Sequence, residues 1–173
     1  MFSHEAVRDW EARFAPLLTD RLCARRRGQH DTKWHADEIE GRWCYLYRAI
    51  DRDGNLVDAL LSEKRDMAVA QRFFAQALDL VGQAPEQVTT DGHDASPRAI
   101  HETLGDGVIH RTSRDKNKRL EQDHRGVKQR DYPLRGFGAF ASAARCCAAY
   151  EEQRQYFRVA PRSRAYVSLE RLA

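Results

Sequence analysis

Val7, Trp10, Phe14, Leu17, Leu18 and Leu22 recur at the spacing of one helix face. Ser3 stands where an N-cap would, and Pro16, lacking an amide proton, predicts a kink or split midway. The pattern then breaks into a basic, Gly-containing stretch, CARRRGQHDTK (Cys23–Lys33), which reads as a linker. From Trp34 the character changes. RWCYLYRAI (Arg42–Ile50) is rich in aromatic and β-branched residues, DRDGN is a turn signal, and LVDALLS (Leu56–Ser62) is a further strand. With Trp34–Ile39 ahead of them, these predict a three-stranded antiparallel meander. A turn at Glu40-Gly41 would pair Ile39 with Arg42 and Asp37 with Cys44, a hairpin of barely three pairs.

The helical period returns over Val69, Phe73, Ala77, Leu78 and Val81, with Asp66 as cap and Gly82 as stop. EQVTTD is a short strand ending at Asp91, and SPRAIHETLG offers Ser96 at N-cap, Pro97 at N1 and Gly105 at C′. GVIHR is a fifth strand. A basic loop leads to a helix holding LEQDHRGVKQR. A last long helix over 135–157 turns Phe137, Phe140, Ala144, Cys147 and Tyr150 inward. The predicted fold class is α/β: a mixed five-stranded sheet, three antiparallel strands then two parallel, with helices on both faces.

Composition narrows the class. The 173 residues are one domain's worth, and 42 % apolar with 32 % charged is a globular balance. No apolar run reaches the roughly 18 residues of a membrane span, and the start lacks a signal-peptide core, so a cytoplasmic protein is expected. Cys23, Cys44, Cys146 and Cys147 form no CxxC pair, which predicts reduced, mostly buried thiols. The net charge of +3 is unevenly placed: residues 110–130 carry eight Arg and Lys against three acids, and residues 21–33 carry five against one. Such segments suit a polyanion, although two solvated faces would look the same.

No Gly-rich phosphate loop, HExxH, nucleophile elbow or Cys/His pairing is present, which leaves carboxylates as the candidate chemistry. Asp37 lies on the first strand, Asp91 ends the fourth, and Glu121 lies on a later helix able to reach the same sheet end. Three converging carboxylates repel one another unless a divalent cation joins them. Mg²⁺ or Mn²⁺ takes oxygen ligands, and two such ions clamp both oxygens of an in-line phosphoryl displacement. His124, Arg125 and Lys128 share the Glu121 helix face, and Arg111, Arg114, Lys116, Lys118 and Arg119 precede it, with Arg130 beyond. Cations around a metal ligand suit a nucleic-acid substrate; an exposed salt-bridged helix is the plainer alternative. His93 and Asp94 are candidate supporting groups, and Glu38 is a neighbour of the site. Asp51, Asp53 and Asp58 read as hairpin structure, and Trp43, Tyr45 and Tyr47 as sheet packing.

Taken in order, WHADE, GRWCYLYRAIDRDGNLVD, VTTDGHDA, PRAI, RLEQDHRGVKQR and RGFGAFASAAR resemble the insertion-sequence-six (IS6-like) family of bacterial DDE transposases, over about residues 3–158. The resemblance implies a ribonuclease-H-like, integrase-type core that cuts and rejoins DNA at terminal inverted repeats and in target DNA. It would use Mg²⁺ (Mn²⁺ possible), two ions held by Asp37 in HADE, Asp91 in TTDGH and Glu121 in RLEQDH. It also implies a homo-oligomer when active, and Arg119, His124, Arg125 and Lys128 flanking the third acid. The expected organisation is residues 1–30 as the last helix of a DNA-binding region with its basic linker, 31–158 as the DDE core, and 159–173 as a loose tail. The chain departs from the family pattern in lacking most of a helix-turn-helix, in a first hairpin about four residues shorter, and at Ser96, Asp115 and Lys118. A remnant that binds DNA without catalysis, or a host nuclease of the same fold, remain alternative readings at this point.

Overall fold

The structure, a computed structural model, describes residues 3–28, 30–40, 44–92, 95–113 and 139–158. Helix α1 (His4–Arg26) leads into three strands, β1 (Lys33–Glu40), β2 (Tyr45–Asp51) and β3 (Leu56–Ser62). Helix α2 (Met67–Val81), β4 (Gln87–Thr90), α3 (Ala95–Leu104), β5 (Ile109–Thr112) and α4 (Phe140–Tyr156) follow. The sheet order is β3-β2-β1-β4-β5. β1, β2 and β3 pair antiparallel, β4 runs parallel to β1, and β5 runs parallel to β4. This is the mixed sheet that the alternation of patterns predicts.

Side-chain alternation along β2 assigns the two faces. Tyr47 and Ala49 join Trp34, Ala36, Val57 and Val88 in a core closed by Phe73, Phe74 and Ala77 of α2 and Ile100 of α3. Arg48, between Tyr47 and Ala49, points the other way and pairs with Glu151 of α4. Helices therefore cover both faces. The α2 ends follow from its caps: Asp66 accepts from the Val69 amide at 2.9 Å, and Gly82 stops the helix at φ 82° while its amide bonds to the Leu78 carbonyl.

Several expectations are corrected. Pro16 does not split α1, which runs unbroken from His4 to Arg26, and both halves contact α4: Glu11 lies 3.4 Å from Arg145, and Arg26 meets Glu152. Cys23–Arg26 belong to α1 and not to a linker, and Arg26 is buried and not a free cation. The face of α1 bearing Trp10, Phe14, Leu17 and Leu18 is exposed, while Leu22 is buried. Helix α3 begins at Ala95, which puts Ser96 inside it and not at its cap. Of the residues expected inward on α4, Phe140 is exposed, whereas Glu151 and Glu152 are buried. Two arginines reaching α4 make its inner face partly ionic. The four cysteines are free but only half-buried.

The largest correction concerns the first hairpin. Asp37 pairs with Arg48, not Cys44, and Glu40 with Tyr45, so β1 and β2 share seven pairs from Trp34↔Asp51 outward. This register is displaced by four from the one a turn at Glu40-Gly41 would give. An even displacement preserves which face each side chain takes. β1 and β2 are thus strands of eight and seven residues.

Candidate active site

Asp37 and Asp91 stand at the same step of two adjacent parallel strands. β1 and β4 pair as Lys33↔Gln87, Trp34↔Val88 and His35↔Thr89. Each acid lies two residues beyond the last of these pairs, Asp37 continuing along β1 and Asp91 directly after β4 ends at Thr90. Both are half-buried. Strands this close lie about 4.8 Å apart, near enough for two carboxylates to face one cation.

The turn carrying Asp91 is tightly fixed. Thr90 is buried; its Oγ1 lies 2.8 Å from His110 Nε2 and accepts from the Gly92 amide at 3.3 Å. Its carbonyl accepts from the Ser113 amide at 3.0 Å. Gly92 takes φ 97°, and a Cβ there would sit 2.6 Å from Thr112 Cγ2. That step requires glycine on both conformational and steric grounds. Burial pulls the His110 pKa below its ordinary value, which favours the neutral ring at its contact with Thr90.

On the opposite side of Asp37, across β1–β2, lies Arg48. It is buried, and its Nε donates to Glu151 Oε2 at 2.8 Å. One residue along α4, Glu152 accepts from Arg26 Nε at 2.9 Å and from Nη2 at 2.6 Å, while Arg26 Nη1 donates to the Val57 carbonyl at 2.6 Å. Asp58 Oδ1 sits 3.8 Å from the same guanidinium, and burial pushes its carboxyl up to about 7.

The remaining candidates divide plainly. Arg111 is exposed on β5, at the edge of the sheet. Glu121 and the cations Arg114, Lys116, Lys118, Arg119, His124, Arg125, Lys128 and Arg130 lie outside the described residues, as do Trp43, His93 and Asp94. Glu38 is the register partner of Tyr47. Asp51 serves the β2–β3 turn, accepting from the Asn55 amide at 2.8 Å and Asn55 Nδ2 at 3.0 Å. The Asp53 carbonyl accepts from Arg158 at 2.9 Å. Thr90, His110, Thr112, Arg48 and Glu151 escaped the sequence reading. Only Arg48 left a signal, as a charge in the middle of an apolar strand.

An oxygen-only pair at a strand end suits a hard divalent cation and no soft metal. Among the described residues no group of three His, Cys, Asp or Glu gathers to hold a metal, so a complete ligand set would need a third carboxylate from outside them. Among those residues, too, no helix is long and apolar enough to cross a membrane.

A family model described as a DDE domain, DDE_Tnp_IS240, matches residues 31–159. The chain belongs to that family. The match begins two residues before β1 and runs past α4, so among the described elements this DDE domain takes in each strand and each helix but α1. The chain is 33 % identical over 135 residues to the transposase for insertion sequence-like element IS431mec of Staphylococcus aureus, an IS6-type relative. That alignment covers 73 % of this chain and 59 % of the relative, so the chain spans about three fifths of the curated relative's length. Among solved structures, the HTLV-2 integrase catalytic core with magnesium superposes at a TM-score of 0.52 and 18 % identity, covering 72 % of this chain and 88 % of that one. A simian T-cell lymphotropic virus intasome chain gives 0.52 at 14 %, covering 78 % and 57 %. The DDE domain thus has the ribonuclease-H-like fold of integrase cores.

Proposed function

We propose that this DDE domain is the catalytic core of an insertion-sequence transposase, cutting and joining DNA at element ends by metal-dependent phosphoryl transfer. The observation that carries the reading is that Asp37, on β1, and Asp91, just past β4, each lie two residues beyond the last pair of these adjacent parallel strands in a DDE-family fold. In this reading Asp37, Asp91 and Glu121 hold the metal, with Mg²⁺ or Mn²⁺ as the ions and two the working number. Bound metal supplies Lewis acidity at the scissile phosphodiester and lowers the pKa of the attacking hydroxyl. The chain's own part is positional: β1 and the Thr90–His110 turn fix the two carboxylates, and cations bind phosphate. Arg111, Arg114, Lys116, Lys118, Arg119, His124, Arg125, Lys128 and Arg130 are the proposed DNA contacts, which set register without reading sequence.

Terminal inverted repeats and target DNA are the proposed substrates, and a homo-oligomer on paired ends the working form. The similar HTLV-2 integrase core is known in a dimeric and a trimeric form, which supports association here. The proposed location is the bacterial cytoplasm, and the proposed organisation keeps 1–30 as the end of a DNA-binding region, 31–158 as the core and 159–173 as a tail. A non-catalytic remnant would be favoured by a stunted first hairpin; the seven β1–β2 pairs remove that argument.

The test is strand transfer by the purified chain on DNA bearing the element's end sequences, with Mg²⁺ present or chelated. Joined products that need Mg²⁺ and disappear in Asp37→Asn, Asp91→Asn and Glu121→Gln are expected. Equal inactivity of wild type and Asp91→Asn, with DNA binding intact in both, would leave only a DNA-binding role.

A further inference from the structure

Two aromatic rings stand in solvent where the chain leaves α4. Tyr156 ends the helix and is 55 % exposed, and Phe157, just past it, is 77 % exposed. The exit is held in place: the Phe157 amide donates to the Gln153 carbonyl at 3.0 Å. The two rings meet edge to face with centroids 5.1 Å apart. Apolar area grouped in water and away from the core marks a contact surface.

Cations accompany the rings. The Arg25 guanidinium of α1 lies 6.0 Å from the Tyr156 centroid. Arg158, next along the chain from Phe157, donates to the Asp53 carbonyl at 2.9 Å and lies over Gly54, where a side chain would collide with it. Neither a ring nor a carbonyl cancels a positive charge, so these contacts place the guanidinium groups without neutralising them. Arg25 belongs to the basic stretch 21–33, whose next two residues are committed to acids, Arg26 to Glu152 and Arg27 to Asp79. A recess of about 370 Å³ opens beside Phe157 and Arg158, with Tyr150, Gln153 and Arg154 completing its wall. Volumes of this order take small organic ring systems, and the Gln153 amide brings both donors and an acceptor.

Exposed rings on which bases stack, with cations beside them for phosphate, are the parts of a single-strand site. Duplex DNA keeps its base faces inside the stack and has no use for Phe157. We propose that Arg25, Tyr156, Phe157 and Arg158 form a binding surface for single-stranded DNA: an unpaired base stacks on Phe157, and neighbouring phosphates meet the two arginines. The inference rests on the reading of this domain as one that handles DNA, and adds a surface apart from the proposed metal site. Trp34 pairs with Asp51, so the β2–β3 turn beneath Arg158 adjoins the start of β1, whereas Asp37 and Asp91 lie beyond the last β1–β4 pair. The strand held there is thus away from the reacting phosphodiester. Rings and arginines also suit a protein partner; two cations beside two rings favour the polyanion.

The experiment is fluorescence anisotropy of a labelled oligothymidylate, and of a duplex of equal length, titrated with the purified full chain in EDTA so that no metal chemistry enters. Phe157→Ala is expected to weaken oligothymidylate binding roughly tenfold, the loss of one stacked base, and to leave duplex binding within about twofold. Phe157→Trp should hold wild-type affinity. Arg25→Gln and Arg158→Gln should each flatten the dependence of log K on log salt by about 0.7, one phosphate contact on a single strand. All three positions are exposed, and circular dichroism checks that each variant keeps the fold. Unchanged oligothymidylate affinity in Phe157→Ala would overturn the proposal and leave the rings to a protein partner. Equal losses on both DNAs, or a salt slope that neither arginine variant alters, would overturn it as well. A wild-type chain that binds neither DNA would instead sink the DNA reading of the domain, and this inference with it.

Discussion

Arg26 and Glu152, separated by 126 positions in sequence, meet at 2.6 Å between Nη2 and Oε1 in the interior. The contact joins the end of the first helix to the last, and the guanidinium also bonds to the Val57 carbonyl of β3. Removing Glu152 alone leaves a buried cation without its main partner. Glu152→Ala is therefore expected to destabilise by about 3–5 kcal/mol. The Arg26→Met/Glu152→Met double variant should lose much less, because neither charge is then stranded. Urea denaturation of the three proteins measures both effects, and a double variant worse than the single would contradict the account.

Asp58 makes the same cluster sensitive to pH. One guanidinium faces two carboxylates and its carboxylate hydrogen bonds go to Glu152, so burial prevails at Asp58 and pushes its carboxyl from 3.8 up to about 7. Between those values the native state keeps a proton that the unfolded chain has released. The native form is thus the better proton binder in that window, and stability falls as pH rises from about 4 to about 7, then levels off. Asp58→Asn removes the titration. Compared by urea unfolding at about pH 5 and about pH 8, wild type should lose stability relative to Asp58→Asn; parallel behaviour would sink the assignment.

Much of the fold could be read from local chemistry, because the deciding signals were local. Asp66 and Gly82 bound α2 where capping predicts, and the turn residues Asp51–Asn55 reverse the chain between β2 and β3. Asp37 and Asp91 could be nominated because a mixed sheet with β4 beside β1 makes them neighbours. What stayed hidden depended on partners far along the chain. Nothing near Glu151 or Glu152 says that Arg48 and Arg26 will bury them, so an apolar inner face for α4 was the reasonable expectation. Pro16 is a local break signal inside a helix that continues and that meets α4 on both sides of it. The turn signal at Glu40-Gly41 is local, whereas the observed register joins seven pairs along β1 and β2.

Gly92 sets the exit of the chain just past Asp91. A side chain there meets Thr112 Cγ2 at 2.6 Å and must also accept φ 97°. Gly92→Ala is expected to lose about 1–3 kcal/mol of stability from backbone strain and crowding. Adding Thr112→Ser removes the clashing methyl but not the strain, so it should recover part of the loss and no more. Thermal unfolding of wild type, single and double variants separates the two contributions. Full recovery would show that sterics alone demand glycine.

In the proposed metal site, Asp37 on β1 and Asp91 just past β4 each lie two residues beyond the last pair of these adjacent strands, and two like charges brought together oppose one another until a cation joins them. Removing one charge should therefore stabilise the metal-free form while removing the response to metal. In chelator, Asp91→Asn is expected to unfold about 2–4 °C above wild type, the shift that about 1 kcal/mol produces in a chain of this size. Millimolar Mg²⁺ or Mn²⁺ should raise the wild-type midpoint by mass action and leave Asp91→Asn nearly unmoved, so the order of the two proteins narrows or reverses. A purely structural Asp91 predicts the opposite sign in chelator, with the variant less stable and both proteins indifferent to metal. Differential scanning fluorimetry with and without the cations tells these outcomes apart without any DNA substrate.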